Sequence, residues 1–194
     1  MPLIVNNSET PREKPMLGLH DAIFCFTEDL GTHITKTQWG DKAQRKLVIM
    51  WEIDENMKGT YDEKYAGKPF IVSKQYTFTL FEKGNLSKDL ESFASRKITD
   101  EVRKTGFDIE TLVGKKCQVN LIESDDGKYI NVGSVLPASK DNKLVRVCTV
   151  CPEWVAKKRA SSLEVIHAPQ SGADPSEPPP SDNYPGADDS NLPF

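Results

Sequence analysis

Histidine is scarce in this 194-residue chain, limited to His20, His33 and His167, and catalytic motifs are scarcer still. No G-x-S-x-G, HExxH or phosphate-cradling Walker loop occurs. The acids are scattered among lysines, which is the pattern of a solvated surface. Two-metal chemistry requires only carboxylates converging at ~4 Å, so the pattern does not exclude a nuclease, but no spacing points to one. The expectation is a chain with no catalytic residues and no cofactor. Long apolar runs are also missing. No stretch approaches the ~18 residues of a membrane span. The opening MPLIVNNSETPREKP lacks a basic segment followed by an apolar run, so neither a membrane anchor nor a secretory signal is expected. Cysteine is sparse, with Cys25 and Cys117 inside apolar runs, and the simplest reading is a reduced, cytosolic chain. Cys148 and Cys151 have metal-ligand spacing, but a structural zinc needs four ligands and no second pair exists, so no metal is expected.

Positive charge is absent from one whole region. Between His167 and Phe194 there is no Lys or Arg, while Asp174, Glu177, Asp182, Asp188, Asp189 and seven of the thirteen prolines fall there. The net charge of -4 therefore belongs to this tail, and the remaining body is near +1. A near-neutral body can still carry a basic face.

What is present is strand-like. Residues 1–17 read as an extended leader. The runs 22–30, 45–53 and 70–81 read as strands, rich in aromatic and branched residues. Residues 32–44 and 54–69 read as long polar connections, the first of them a loop or a strand extension. The period then changes: Leu86, Leu90 and Phe93 share one helical face in 84–95, with Asn85 or Ser87 as the cap. Short helical turns follow over 99–104, capped by Thr99, and over 107–114, opened by Asp108 and closed by Gly114. Strands return at 115–124 and 128–137 around the turn signal Asp125-Asp126-Gly127. Residues 143–150 are a candidate for one more strand, and 138–166 as a whole for an added strand, a dimer contact or a groove flap. The order β-β-β-α-β-β predicts a mainly β fold with an α insert. The specific expectation is an OB-fold over 18–150, a five-stranded, partly open Greek-key barrel with helices between strands three and four. Residues 151–166 are expected to be a linker or extension. The tail 167–194 lacks the apolar surface to offset its ordering entropy and is expected to be disordered.

Aromatic and basic residues interleave in the two polar connections. The first holds Lys36, Trp39, Lys42 and Arg45; the second holds Lys58, Tyr61, Lys64, Tyr65 and Lys68. Bases of a single strand expose π-faces on which aromatic rings stack, while lysines follow the phosphates. Trp39, flanked by Gln38, Gly40, Asp41 and Lys42, is the leading stacking candidate, followed by Tyr61 and Tyr65. Trp51 shares parity with Leu47, Ile49 and Ile53 and is expected in the core, as are Phe24 and Phe26. Lys74, Tyr76 and Phe78 alternate against Ser73, Gln75, Thr77 and Thr79. One set faces inward, and whether Tyr76 and Phe78 belong to the core or to a DNA-binding face is open.

The last seven residues, DDSNLPF, resemble the acidic tip of bacterial single-stranded DNA-binding proteins. Asp188 and Asp189 match the acids of that tip, Leu192 its aliphatic position, and Pro193 and Phe194 its final pair. Ser190 and Asn191 depart from the fuller acidic run, which implies a weaker tip. Over about 18–140, notably YTFTLFEKGNLSKDLESF and LVGKKCQVNLIE, the body resembles phage-encoded replication and single-strand-binding proteins. The resemblance implies a barrel that coats single-stranded DNA in replication, recombination or repair. It also implies a tip that recruits other genome-maintenance proteins, with Phe194 in an apolar pocket, its carboxylate on a basic group, and Asp188 and Asp189 at the basic rim. The implied setting is the cytoplasm of a bacterial host. Oligomeric state is open, a homo-oligomer included. The rivals are an adaptor or decoy that engages host replication proteins without binding DNA, and a nuclease with an unrecognised carboxylate site.

Overall fold

The computed structural model describes residues 13–37 and 40–163. Trp39, the first part of the leader and the tail with Asp188, Asp189, Leu192, Pro193 and Phe194 lie outside the described residues. The described chain is mainly β. Five antiparallel strands form one sheet: β1 (Gly18–Thr37), β2 (Gly40–Asn56), β3 (Pro69–Thr77), β4 (Lys116–Glu123) and β5 (Ile130–Pro137), in the order β3-β2-β1-β4-β5. The sheet is open, with β3 and β5 as its edges.

The longest elements are β1 and β2, of 20 and 17 residues. The region 32–44 is therefore not a loop. It forms the two arms of a ribbon, paired from Thr32↔Arg45 to Thr37↔Gly40. Few apolar side chains mark these arms because their side chains are exposed or only half-buried, and what pairs them is the backbone ladder. The register slips twice, between Phe24 and Phe26 and between Asp29 and Gly31. Each slip leaves one residue, Cys25 and then Leu30, bulged out of the pairing. The first slip changes which face the chain presents. Ala22 and Phe24 point into the main core, whereas Phe26 packs, partly buried, with Cys25 and Leu30 in a second cluster. Strict alternation would have kept Phe26 with Phe24, and the bulge instead puts it, partly buried, against the second core cluster.

The inner face of the sheet packs on the helical insert. Helix α1 (Asn85–Ala94) buries Leu86, Leu90 and Phe93 against Phe24, Ile49, Trp51 and Val135. Phe24 lies 5.5 Å from Trp51 and 5.2 Å from Phe93 between ring centroids, edge-on to the latter, a favourable aromatic arrangement. Its N-cap is Gly84 and no side chain caps it, so neither Asn85 nor Ser87 has that role. Helix α2 (Asp100–Thr105) is capped by Thr99, whose Oγ1 accepts from the Val102 N–H. A 3-10 turn follows at Ile109–Leu112, opened by Asp108.

The outer face of β1 and β2 is covered by the chain after β5. Asn142 starts this cover; its buried amide donates to the carbonyls of Ala22 and Cys117, 3.1 Å each. Residues 143–150 then run extended but form no strand. Two of their backbone N–H groups, Val147 and Cys148, are taken by the buried Glu52 carboxylate instead of a neighbouring strand. Helix α3 (Glu153–Ala160) lays Val155 on Cys25, Leu30, Val48 and Met50. Arg159 donates to the carbonyl of Asp29 and to Glu28, and Leu163 N–H donates to Thr32 O at 2.8 Å. Gly31 makes this closure possible: its φ is +78°, and a Cβ there would stand 2.6 Å from Ser162 Cβ. Residues 151–163 are thus packed on the body.

Candidate nucleic-acid interface

The basic and aromatic residues divide between the two ends of β2. At its beginning, Lys36 and Lys42 stand exposed on opposite arms of the ribbon, one and two register steps from the Thr37↔Gly40 pair. Arg45 is further down and is already engaged. Its guanidinium donates twice to Asp29 Oδ2, at 2.9 and 2.5 Å, and lies 4.6 Å from the centroid of Phe78. Burial pushes the Asp29 carboxyl up, but Arg45, the Gly31 N–H and Arg159 outweigh it and hold the group below the usual carboxylate range. Phe78 is 44% exposed and presents its other side to solvent. Lys46, whose pKa burial lowers, bonds to Gln44 and Thr77.

At the other end, β2 runs out into residues 57–68. Seventeen residues of strand, roughly 55 Å if straight, separate the two ends. Backbone bonds from Met57 N–H to Lys68 O (2.8 Å) and from Gly67 N–H to Met57 O (2.9 Å) close the segment into a compact loop. A 3-10 turn at Glu63–Tyr65 is capped by Asp62, which also pairs with Lys64 at 2.7 Å. The Lys64 side-chain hydrogen bond holds Asp62 below, and Asp62 in turn holds Lys64 above, their ordinary pKa values. Lys64 and Lys68 sit 4.8 and 5.7 Å from the centroid of Tyr65. Tyr61 and Tyr65 are both exposed, and with Met57, Gly59, Phe70 and Ile71 they line an open cleft of about 440 Å³. Lys58 is exposed beside it.

Lys74 and Tyr76 belong to neither group. They lie on β3 and face α1: Tyr76 is 3% exposed and its hydroxyl donates to Asp89 Oδ2 at 2.8 Å. Lys74 donates to the same Asp89 oxygen at 2.7 Å and to the Gly133 carbonyl of β5 at 2.9 Å. Burial, then the Asp89 charge, push the Tyr76 phenol far above its ordinary value, so it stays a neutral donor. Neither side chain is open to a passing strand of DNA, because the parity of β3 points both toward the helix. The polar set on the other side, Ser73 and Gln75, is the exposed one.

Phe81, Tyr129 and Trp154 are exposed aromatics that the sequence reading does not single out. Tyr129, 66% exposed, follows Lys128 in the β4–β5 turn. That turn lies at the same end of the sheet as residues 57–68, since Lys14 donates to Gly127 O while the preceding Glu13 bonds to Lys58 and Thr60. The signal was a Lys-Tyr pair directly after Asp-Asp-Gly, legible only as a turn. Among the described residues, no three His, Cys, Asp or Glu side chains converge to hold a metal ion. Burial raises the Cys25 thiol to about 12, followed by the charge of Glu52, and Cys117 is raised by burial as well, so both are inert. No helix among the described residues is long and apolar enough to cross a membrane. No known protein family matches the chain, and no curated protein matches it either.

Proposed function

We propose that this chain is a non-enzymatic protein that binds single-stranded DNA with little regard for sequence. In this reading it protects strands during replication, recombination or repair in the bacterial cytoplasm and recruits partner proteins through Asp188, Asp189, Leu192, Pro193 and Phe194. The observation that carries the reading is the strand order. The order β3-β2-β1-β4-β5 is compatible with a five-stranded Greek-key barrel opened between its third and fifth strands, and supports that reading. Helix α1 packs along that seam, and Lys74 spans it from β3 to the Gly133 carbonyl. In an OB-fold, oligonucleotides lie across strands two and three between the loop joining strands one and two and the loop joining strands four and five. Here the ribbon arms that lead into the first of these loops carry Lys36 and Lys42, and the second loop carries Lys128 and Tyr129, with Tyr61 and Tyr65 beside the latter. Lysines follow the phosphates, and exposed rings stack on bases for about 1–3 kcal/mol each. Lys74 and Tyr76 are not among the proposed contacts.

Titration with oligo-dT, followed by tryptophan fluorescence, tests this. Trp51 is wholly buried, so a quench reports Trp39 or the half-exposed Trp154, and Trp39→Phe separates them. The expected result is a saturable quench without shortening of the strand. One observation favours the adaptor reading: Val145, Val147 and Val150 expose β-branched side chains in one extended segment, a surface suited to protein. An adaptor gives no titration, and a nuclease shortens the strand when Mg²⁺ or Mn²⁺ is added.

A further inference from the structure

Two backbone N–H groups and a hydroxyl converge on one point beside the tyrosine cleft. The Lys58 N–H donates to Glu13 Oε2 at 2.7 Å, and the Thr60 N–H and Thr60 Oγ1 both donate to Glu13 Oε1. Gly59, between the two donors, has φ +79°, a conformation that turns neighbouring N–H groups toward a common centre. The position needs glycine twice over, because a Cβ would also stand 2.7 Å from Ala66 Cβ and 3.1 Å from Ala66 Cα. The loop closure between Met57, Gly67 and Lys68 and the packing of Gly59 on Ala66 hold the donors in this arrangement. Such a concavity of N–H groups is an anion site. Here a carboxylate of the chain itself fills it, 45 residues away from the nearer donor. The hydrogen bonds from Thr60 lead in holding that carboxyl below its ordinary pKa, so it occupies the seat as an anion.

The surroundings suit more than a carboxylate. Lys58 adds positive charge at the seat. The cleft of about 440 Å³ opens directly from it, and Glu13, Gly59, Tyr61, Tyr65 and Phe70 all line that cleft. An anion seat beside an open cleft walled by two exposed tyrosines is the outline of a nucleotide: phosphate on the N–H groups, base against a ring. The leader blocks that outline, since Lys14 is tied to Gly127 O on the other side.

Resting on the proposed single-strand binding, we infer that the Lys58–Gly59–Thr60 loop is a phosphate subsite, that the Tyr61–Tyr65 cleft beside it takes the attached base, and that Glu13 is an internal phosphate mimic displaced when DNA binds. Freeing the seat removes a competitor for a phosphate contact that is made in either case.

The test compares the full chain with Glu13→Ala, binding fluorescent oligo-dT over a range of salt, with the Lys58 and Thr60 amide resonances recorded in parallel. The variant is expected to bind several-fold more tightly at low salt. Its salt slope should match that of the wild-type chain, because both proteins make the same phosphate contacts once DNA is bound. Both amides should shift when oligo-dT is added to either protein. If the wild-type chain binds oligo-dT but Glu13→Ala does not raise the affinity, Glu13 is a structural staple and the subsite is refuted while the DNA-binding reading stands. Unmoved Lys58 and Thr60 amides at saturation refute it equally. If neither protein binds oligo-dT at low salt, the DNA-binding reading itself falls and the subsite falls with it.

Discussion

On the inner face of the β1–β2 ribbon, Phe24, Ile49 and Trp51 meet Leu86, Leu90 and Phe93 in a continuous apolar core. On the outer face the cover is one extended segment and one short helix, resting on Cys25, Leu30, Val48 and Met50. The outer cover is fastened at discrete polar points: Asn142 on two carbonyls, Glu52 on two N–H groups, and Arg159 on Glu28 and Asp29. Apolar contact is non-directional and accumulates with area, so the inner face holds as a unit. Directional bonds hold one geometry each, and a cover fastened by them opens in steps. The same sheet thus has one side held by apolar contact and one whose cover is fastened at polar points as well. The proposed DNA contacts lie on the ribbon arms and the loops.

The largest effect should come from the inner face. Phe24→Ala is expected to cost about 3–5 kcal/mol, read as a lower midpoint of the global denaturant transition. A loss under 1 kcal/mol would mean that α1 does not depend on this ring. Next comes a contrast in binding. Tyr65→Ala should weaken oligo-dT binding by about 1–3 kcal/mol, whereas Tyr76→Phe, which removes only the hydroxyl that meets Asp89, should leave the affinity unchanged. Equal losses in the two variants would erase the division between inner and outer tyrosines. Smaller again, Val155→Ala should cost about 1–2 kcal/mol, appearing as faster amide exchange in α3 and at Val147 and Cys148 before any change in the strands. Uniform acceleration across the sheet would show that the cover and the core open together.

The smallest effect concerns pH. The folded-state pKa of Asp29 lies below its ordinary value, so the stability it contributes is complete above about pH 4. That contribution is lost as pH falls through the folded-state value. The Asp29–Arg45 pair is partly exposed, and solvent screening limits the loss to a few tenths of a kcal/mol. Asp29→Asn should flatten that part of the stability-versus-pH curve, and an unchanged curve would refute the assignment.

The parts of this fold legible in sequence were those that bury side chains with a period. Leu47, Ile49, Trp51 and Ile53 alternate, and all four are in the main core. Leu86, Leu90 and Phe93 repeat at helical spacing and lie on the buried face of α1. The ribbon arms were illegible because they bury little side chain and their pairing with each other lies in the backbone. Residues 143–150 misled for the opposite reason. They alternate like a strand, yet their inward side chains are Leu144, Arg146 and Cys148, with Arg146 over the ring of Phe26 at 4.9 Å. Their N–H groups at 147 and 148 go to a carboxylate. The seat of Glu13 was beyond reach, since it joins residues 45 and 47 positions apart through donors of the main chain. For the tyrosines, composition placed Tyr61 and Tyr65 together in one loop, but only the parity of β3 against α1 separated Tyr76 from them.

The measurement that tests the central claim most directly is the affinity of the full chain for fluorescent oligo-dT, by anisotropy, across a series of salt concentrations. A single-strand-binding protein that follows phosphates with lysines should bind at low salt and lose affinity linearly on logarithmic axes, with a slope of about -0.7 for each phosphate contacted. Absence of binding at low salt, or an affinity that ignores salt, would contradict the account.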